Sequence, residues 1–333
     1  MLRYKYYNNT VESYYKPKVT VFLPTYNEED YIARKLDNLL SQSYPVEIVI
    51  YDCSTDKTRE IIKDYQSRYH NITLIEQKER IGMALTMNEA IDNTDCDIFI
   101  KTDVDSITLS NDAIKNIIKH FADPKIGVVT GTRVNKMIEG QYNNLLTRLQ
   151  IVESNIDSIV IGQSPSLLAF RKSAMEKVSS YSMAEDTEEV IAIRRKGYKA
   201  IIDTSIVSIE DIPQDFKTRR LQKDRRAEGI VRVLLKNKDM LFNKRYGKYG
   251  LIVLPMEFFL LVISPFLIFI IIIVTLYTVY SINVYAGLTT TLAFICIFLS
   301  KRTRAIIDAQ ISGMIATIKA LLRKDNPLWK KVR

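Results

Sequence analysis

Residues 19–52 read VTVFLPTYNEEDYIARKLDNLLSQSYPVEIVIYD, and this stretch decides the fold. Its apolar segments at residues 19–23 and 46–51 each predict a buried strand. Between them, residues 28–42 carry apolar side chains at helical spacing, and Asn27 can cap this helix. A strand–helix–strand unit with short connections predicts two parallel strands that are covered by the helix.

The same alternation continues along the next eighty residues. Further strands are predicted at residues 72–76, 97–101 and 127–130, and further helices at residues 56–69, 83–92 and 112–121. This order predicts an α/β domain with a mostly parallel sheet and helices on both of its faces. Ligands of such sheets bind beyond the carboxyl ends of the strands. Asp52, Asp103 and Asp105 fall at such ends.

Four segments of different composition follow one another. Residues 1–212 form the predicted α/β domain, whose second half adds helices at 141–160 and from Glu185 onward, and strands at 167–170, 200–203 and 206–209. Residues 213–249 are a basic region with an amphipathic interface helix at 213–238 that could break at Gly229. We expect a transmembrane hairpin at residues 250–300, and an amphipathic interface helix with a basic tail at 301–333.

The apolar segment predicts attachment to a membrane. Between residues 251 and 299 the only acidic or basic side chain, Tyr and Cys aside, is that of Glu257. A crossing takes about 20 residues, so we expect one crossing at 265–280 and a second, shorter one at 284–299. A soluble helical core is the weaker interpretation, because these residues have no polar face.

The charge distribution agrees with this assignment. The formal net charge is +9, and residues 213–249 contain 12 Lys and Arg against 4 Asp and Glu. Residues 301–333 contain 9 against 2. Basic residues on both sides of the apolar block are typical of cytoplasmic flanks. The α/β part has no basic stripe, so no nucleic-acid partner is expected.

Four polar motifs occur in order along the chain. They are Pro24-Thr-Tyr-Asn-Glu28 together with Asp52, then Asp103-Val-Asp105, then Glu185-Asp186, and finally Gln222-Lys-Asp-Arg-Arg226. Two carboxylates two positions apart at a strand end can face one ligand, and divalent cations prefer oxygen ligands. Taken alone, the Asp103-Val-Asp105 motif is also compatible with a solvated acidic loop, and acids at a helix start with a helix-dipole role. The Gln222 motif is also compatible with a basic helix that lies on anionic headgroups.

Together these motifs resemble the inverting glycosyltransferases of family 2, which have the GT-A fold. The resemblance covers about residues 18–230 and is best to the membrane-bound synthase branch that includes cellulose and hyaluronan synthases. The layout, with the catalytic domain first and a membrane hairpin last, resembles dolichyl-phosphate mannose synthase. The resemblance implies an enzyme that uses a UDP- or GDP-linked sugar and a divalent metal, Mn²⁺ or Mg²⁺.

Site residues follow from the resemblance. It implies that Asp105 and Asp103 hold the metal, that Asp186 is the catalytic base, and that the nucleotide sugar is bound by Pro24, Tyr26, Glu28, Asp52, Arg80 and Asp103. Gln222, Arg225 and Arg226 would support the diphosphate and the acceptor. A base is needed because a sugar hydroxyl is a poor nucleophile until its proton is removed. Glu188 and Glu189, in the same helical turn, are interpreted as partners of the helix dipole.

One departure bears on the acceptor. The family has Trp where this chain has Arg226, and arginine offers donors suited to phosphate instead of a stacking face. We therefore expect transfer to a hydroxyl of a lipid-linked or membrane glycan, by a multi-pass protein of the cell membrane whose catalytic domain is cytoplasmic. The alternatives are a polyprenyl-phosphate glycosyl synthase, a processive polysaccharide synthase, and a non-catalytic membrane scaffold.

Overall fold

The computed structural model describes residues 15–134, 140–162, 167–210 and 216–322. Within them, eight strands form one sheet in the order β3-β2-β1-β4-β7-β6-β8-β5. The strands are β1 (Val19–Thr25), β2 (Glu47–Asp52), β3 (Ile72–Glu76), β4 (Ile98–Lys101), β5 (Ser106–Thr108), β6 (Ile126–Val134), β7 (Leu168–Arg171) and β8 (Lys199–Glu210).

Helices cover both faces of this sheet and continue beyond it. They are α1 (Ile32–Leu40), α2 (Thr58–Arg68), α3 (Met83–Asn93), α4 (Ala113–Ile118), α5 (Gly140–Ile156), α6 (Glu185–Arg195), α7 (Phe216–Lys236), α8 (Leu254–Phe258), α9 (Ser264–Ile282), α10 (Val284–Leu299) and α11 (Lys301–Leu322). The predicted start of the basic helix at Pro213 and the basic tail after residue 322 lie outside the described residues.

The sheet is mixed but mostly parallel, as expected. β1 pairs in parallel with β2 and β4, β2 pairs in parallel with β3, and β6 pairs in parallel with β8. In contrast, β7 is antiparallel to both of its neighbours, and β5 is antiparallel to β8. Thr25 lies opposite Asp52 in the register of β1 and β2. Polar residues that follow these strands therefore come together at one edge of the sheet.

Strand alternation divides the core into two layers. Val21 and Leu23 of β1 pack with α1, α2 and α4 on one face. Phe22, between them in sequence, packs with α3 and α6 on the other face. Side chains of successive strand residues point to opposite faces, so near-continuous apolar strands are the expected pattern for a sheet that is covered twice.

Three details differ from the sequence predictions. Helix α1 begins at Ile32, with Tyr31 as its N-cap residue, and Asn27 has a left-handed φ of 55° and does not cap it; instead, the Asn27 carboxamide accepts the N–H of Thr55 at 2.8 Å. The strands predicted at 200–203 and 206–209 form one continuous strand, β8, whose pairing with β6 is irregular. The three-residue strand β5 has too short an apolar pattern to be predicted.

Helix α7 is continuous through Gly229, where the sequence allowed a break. A Cβ atom at this position would lie 2.6 Å from the Met183 carbonyl oxygen. Because Gly229 has no side chain, α7 can pack closely against the segment that leads into α6. A third core joins α7 to Val253, Leu254 and Val262.

A single long apolar helix, Tyr249–Ile282, contains α8 and α9 and two π-helical turns. Among the described residues it alone is long and apolar enough to cross a membrane. The second predicted crossing corresponds to α10, which is a shorter apolar helix. At 1.5 Å per residue, α10 is somewhat short for about 30 Å of hydrocarbon. The hairpin therefore remains a prediction.

Helix α11 packs against the protein with its small residues. Ser312, Gly313, Ala316 and Thr317 are buried, and polar contacts connect α11 to α7. Asp308 forms ion pairs with Arg220 and Lys223, and the Ser312 hydroxyl donates to Asp224 at 2.7 Å. Toward the C-terminal end of α11, the apolar side chains of Ile318 and Leu321 are exposed.

Candidate active site

A cavity of about 300 Å³ opens at the carboxyl ends of β1 and β4, beside α6 and α7. All predicted site residues except Asp52 line this cavity, namely Pro24, Tyr26, Glu28, Arg80, Asp103, Asp105, Asp186, Gln222, Arg225 and Arg226. These residues are spread over more than 200 positions of the chain. The fold therefore brings the four sequence motifs to one place.

Asp52 lies beside the cavity but outside its lining. Its side chain is fully buried and accepts hydrogen bonds from the Thr25 hydroxyl at 2.7 Å and the Ser54 hydroxyl at 2.5 Å. Arg59 Nε donates to its other oxygen at 3.0 Å. In this arrangement Asp52 links the end of β1 to the loop after β2 and to α2, and its contact with the nucleotide remains a prediction.

Asp103 and Asp105 stand on the short connection between β4 and β5, and both line the cavity. Residues 102–106, which contain them, are called the Asp loop below. Among the described residues, no group of three or more His, Cys, Asp and Glu side chains could hold a metal alone. Two carboxylates fit a divalent ion that takes its remaining ligands from substrate phosphates and water.

The predicted base sits at the first turn of α6, against a buried lysine. Lys101 Nζ lies 2.8 Å from Glu185 Oε1 and is also hydrogen-bonded to Asp186. Burial disfavours the charge of Lys101, but the carboxylates of Asp186 and Glu185 outweigh it and raise the pKa of Lys101. One ammonium group thus holds both acids at the cavity wall.

The two acids respond differently to this environment. Burial raises the pKa of Asp186 to about 7; Lys101 opposes the shift, while the charges of Glu185 and Asp103 add to it. For Glu185, burial also acts upward, but Lys101 outweighs it and lowers the pKa. A general base works best when its pKa lies near the working pH. Asp186 is therefore the better suited of the two.

Close backbone packing fixes the start of α6. A Cβ atom at Gly162 would lie 2.5 Å from the Asp186 carbonyl oxygen, so glycine is required for this approach. The Gly162 N–H donates to the Thr187 hydroxyl at 3.2 Å. Glu188 and Glu189 accept hydrogen bonds that the sequence did not predict. Glu188 accepts from the Ser179 N–H at 3.4 Å, and the fully buried Glu189 accepts from the Glu176 N–H at 3.0 Å.

Arginine side chains form a basic wall opposite the acids. Arg225 and Arg226 come from α7, and Arg80 from the segment before α3. Burial lowers the pKa of Arg225, and the charges of Arg226 and Arg80 act in the same direction, against Glu185. The Arg80 guanidinium lies 4.7 Å from the centre of the Tyr26 ring. Such a wall can bind one or more phosphate groups.

Sequence reasoning missed several residues here. Lys101 ends an otherwise apolar strand, and Lys35 lies on the apolar face of α1. A charged residue at such a position is the signal that could have identified both, because lysine is rarely buried without partners. Arg133 and Glu210 form an ion pair that lines the cavity. Nothing in the sequence indicates this pair, since β6 and β8 are far apart along the chain.

Comparison with known proteins gives a consistent result. The profile described as "Glycosyl transferase family 2" matches residues 20–179. The chain is 26% identical to the probable glycosyltransferase YdaM of Bacillus subtilis over 245 residues, which are 66% of this chain and 57% of that protein. It is 28% identical to the poly-beta-1,6-N-acetyl-D-glucosamine synthase of Staphylococcus aureus over 257 residues, or 72% and 60% of the two chains. The chain thus spans about three fifths of the length of these relatives.

A solved structure extends the similarity to most of the chain. The mannosyltransferase PcManGT from Pyrobaculum calidifontis, in complex with GDP-Man and Mn²⁺, superimposes with a TM-score of 0.80 at 26% identity. The match covers 93% of this chain and 88% of that one. The sequence profile, the relatives and the architecture agree that the chain is a glycosyltransferase with the GT-A fold, and its residues 20–179 match the family 2 profile.

Proposed function

We propose that this protein is a membrane-attached, inverting glycosyltransferase. It moves one sugar from a nucleotide diphosphate sugar to a hydroxyl group of a lipid-linked or membrane glycan. The observation that carries the proposal is the cavity in which Asp186, the Asp loop and the three arginines converge. A general base, a pair of hard oxygen ligands and phosphate-binding donors are the groups that such a transfer needs.

The donor would bind with its diphosphate between the Asp loop and the basic wall. Asp103 and Asp105 would hold a divalent ion, and an ion there neutralises charge that develops on the leaving diphosphate. The similarity to a mannosyltransferase that was solved with GDP-Man and Mn²⁺ supports both the donor class and the metal. Pro24, Tyr26 and Glu28, which line the cavity beside β1, are the candidates for contacts with the nucleoside.

Asp186 would act on the acceptor. As the acceptor oxygen attacks the anomeric carbon, its proton passes to the Asp186 carboxylate, and the bond from that carbon to the diphosphate breaks. Lys101 orients the carboxylate through a direct hydrogen bond. Attack opposite the leaving group in one step inverts the anomeric carbon. Glu185 is hydrogen-bonded to the same lysine. It therefore lies in the same site, but it need not accept the proton.

The basic wall suggests the class of acceptor. Gln222, Arg225 and Arg226 line the cavity from α7, whose other contacts include those to α11. An acceptor that carries phosphate close to its sugar, as a polyprenyl diphosphate saccharide does, fits this wall. A polyprenyl-phosphate glycosyl synthase is the second candidate, because the same arginines could bind an acceptor that is itself a phosphate.

Membrane attachment rests on the long apolar helix Tyr249–Ile282. Its first part packs in the third core, and Ile270, Ile271 and Ile273 in its second part are exposed. An exposed apolar surface of this kind is stable in lipid and not in water. Basic residues before and after the apolar block favour a cytoplasmic catalytic domain, where nucleotide sugars are made available.

A transfer assay with membranes that contain the protein tests this function. They are incubated in parallel with radiolabelled UDP- and GDP-sugars, and the lipid and polymer products are separated. We expect one donor to label a lipid fraction, from which mild acid releases an oligosaccharide that contains the labelled sugar. Release of the labelled sugar as a free monosaccharide would indicate the polyprenyl-phosphate synthase instead. Labelled polymer would indicate a processive synthase, and no labelled product with any donor would contradict the enzyme itself.

Two variants provide the controls. Asp105→Asn should abolish labelling, because it removes one of the two proposed metal ligands. Asp64→Asn, which changes an exposed carboxylate on α2 that forms an ion pair with its helical neighbour Arg68, should leave labelling unchanged.

A further inference from the structure

Lys35 is a fully buried lysine in the first half of α1. It lies on the apolar face of the helix, with Ile32, Leu36 and Leu39 as its buried neighbours. Burying an ammonium group costs free energy unless it is paired or fully hydrogen-bonded. A position of this type would normally hold an aliphatic residue, so the lysine points to a specific partner.

The partner is the Asp loop. Lys35 Nζ donates to the Thr102 hydroxyl at 2.6 Å and to the Ser106 carbonyl oxygen at 2.6 Å. Thr102 immediately precedes Asp103, and Ser106 immediately follows Asp105. One ammonium group therefore joins the two ends of the three-residue segment that carries both carboxylates.

Other bonds on the same side leave the loop little freedom. The Ser106 hydroxyl donates to the Asp103 carbonyl oxygen at 3.1 Å. Asn38, one turn after Lys35, donates to the Thr108 carbonyl oxygen and accepts from the Thr108 N–H, both at 3.0 Å. Helix α1 is thus bonded to the Asp loop and to β5 directly behind it. Lys35 supplies the contact nearest to the carboxylates.

The ammonium group of Lys35 also interacts electrostatically with the two aspartates. Burial lowers the pKa of Lys35 to about 7, and the carboxylates of Asp103 and then Asp105 act against this shift. The lysine lies behind the loop, since Lys35 does not line the cavity whereas both aspartates do. It therefore cannot touch substrate and acts only through the loop.

We propose that Lys35 is a positioning residue that keeps Asp103 and Asp105 at the separation and orientation required to bind a divalent ion. The inference rests on the proposed function, in which these two aspartates hold the metal. Residues that orient metal ligands by hydrogen bonds commonly change metal affinity by about 10- to 100-fold when they are replaced.

The test is a titration of Mn²⁺ in which free ion is measured by electron paramagnetic resonance. It uses the full-length protein in detergent with UDP, and in parallel with GDP, at saturating concentration. Lys35→Met keeps the length and apolar contacts of the side chain but removes the ammonium group. We expect its dissociation constant for Mn²⁺ to be at least about tenfold higher than that of the wild type, while its circular dichroism spectrum is unchanged.

A second pair of variants keeps the test independent of the folding of Lys35→Met. Thr102→Val removes one acceptor of the lysine, and Thr102→Ser retains it. The valine variant should bind Mn²⁺ more weakly than the wild type, and the serine variant should restore most of the affinity. A general loss of packing would not follow this order, because valine is closer to threonine in shape than serine is.

The outcomes separate this inference from the proposed function. If the wild type binds Mn²⁺ with nucleotide and both Lys35→Met and Thr102→Val bind it equally well, Lys35 does not position the Asp loop and the proposed function stands. If the wild type itself does not bind Mn²⁺ with either nucleotide, the metal role of the Asp loop is wrong, and the inference about Lys35 is wrong with it.

Discussion

The ammonium group of Lys101, at the end of β4, is hydrogen-bonded to the carboxylate of Asp186, at the first turn of α6. The contact links a strand that leads into the Asp loop to the helix that carries the proposed base. The same ammonium group lies 2.8 Å from Glu185. A cation beside a base keeps it partly ionised despite burial, and here burial prevails in the balance that sets the pKa of Asp186.

Turnover should depend on pH through Asp186. Burial raises the pKa of this carboxyl to about 7, and only the ionised form can take a proton from the acceptor. We expect kcat at saturating substrates to fall tenfold for each pH unit below about 7 and to level off above it. The measurement is initial rate against pH from 5 to 9. A kcat that is constant down to pH 5 would contradict a base with a raised pKa.

Transfer should require a divalent ion. Excess EDTA is expected to abolish activity, and Mn²⁺ or Mg²⁺ should restore it, because Asp103 and Asp105 provide the oxygen ligands that these ions prefer. Asp105→Asn should not be rescued by millimolar metal. Full activity in excess EDTA would contradict the requirement for a metal, but it would not contradict the role of Asp186 as the base.

The apolar helices should form a hairpin with both ends in the cytoplasm. Single cysteines at Phe242, Tyr285 and Leu322, which are 73%, 80% and 79% exposed, can be introduced after the three native cysteines are replaced by alanine. An impermeant maleimide added to intact cells should label only the cysteine at 285, and all three should react after lysis. Labelling at 322 but not at 242 in intact cells would mean an odd number of crossings between these positions.

Glu189 should make the fold less stable as pH rises. Burial raises its pKa to about 8, so the folded state binds this proton more tightly than the unfolded state does. The free energy of unfolding is therefore expected to fall as pH increases from about 5 to 8, and Glu189→Gln should remove this loss. The stability difference between variant and wild type should grow by up to about 1 kcal/mol per pH unit.

Unfolding of both proteins in detergent is followed across this pH range, with Glu188→Gln in the same helix as the control. Glu188→Gln removes a carboxylate that is ion-paired with Lys236, so it controls for the loss of an acidic side chain from the same helix. A difference from the wild type that stays constant with pH for Glu189→Gln would show that Glu189 is ionised in the fold.

Much of the sheet could be predicted from the sequence because its strands are apolar runs that end at polar residues. Ile98–Lys101 followed by Asp103 and Asp105 is such a case. The placement of β7 between β4 and β6 could not be predicted in this way. Strand order depends on pairing between segments that are distant in the chain, and neither periodicity nor turn residues carry that information.

The residues that line the candidate site could be proposed from motifs, but the residues that hold them in place could not. Asp186 was identified through the resemblance to family 2, whereas its partner Lys101 became visible only in three dimensions. Asp52 shows the opposite limit. Its position at the end of β2 was predicted, but its buried contacts with Thr25 and Arg59 were not. Contacts between side chains of different elements produce no recognisable spacing in the sequence.

The central claim is that Asp186 removes a proton from a hydroxyl acceptor, and the rate of Asp186→Asn tests it most directly. Asparagine preserves the shape of the side chain but cannot accept the proton. We predict that kcat for transfer falls by about 10² to 10⁴, the usual contribution of a general base, while the affinity for nucleotide sugar stays within a factor of about two because the lost interaction strengthens only in the transition state. Near-normal transfer by Asp186→Asn, to a product from which mild acid releases the labelled sugar as a free monosaccharide, would contradict the claim and identify a phosphate acceptor.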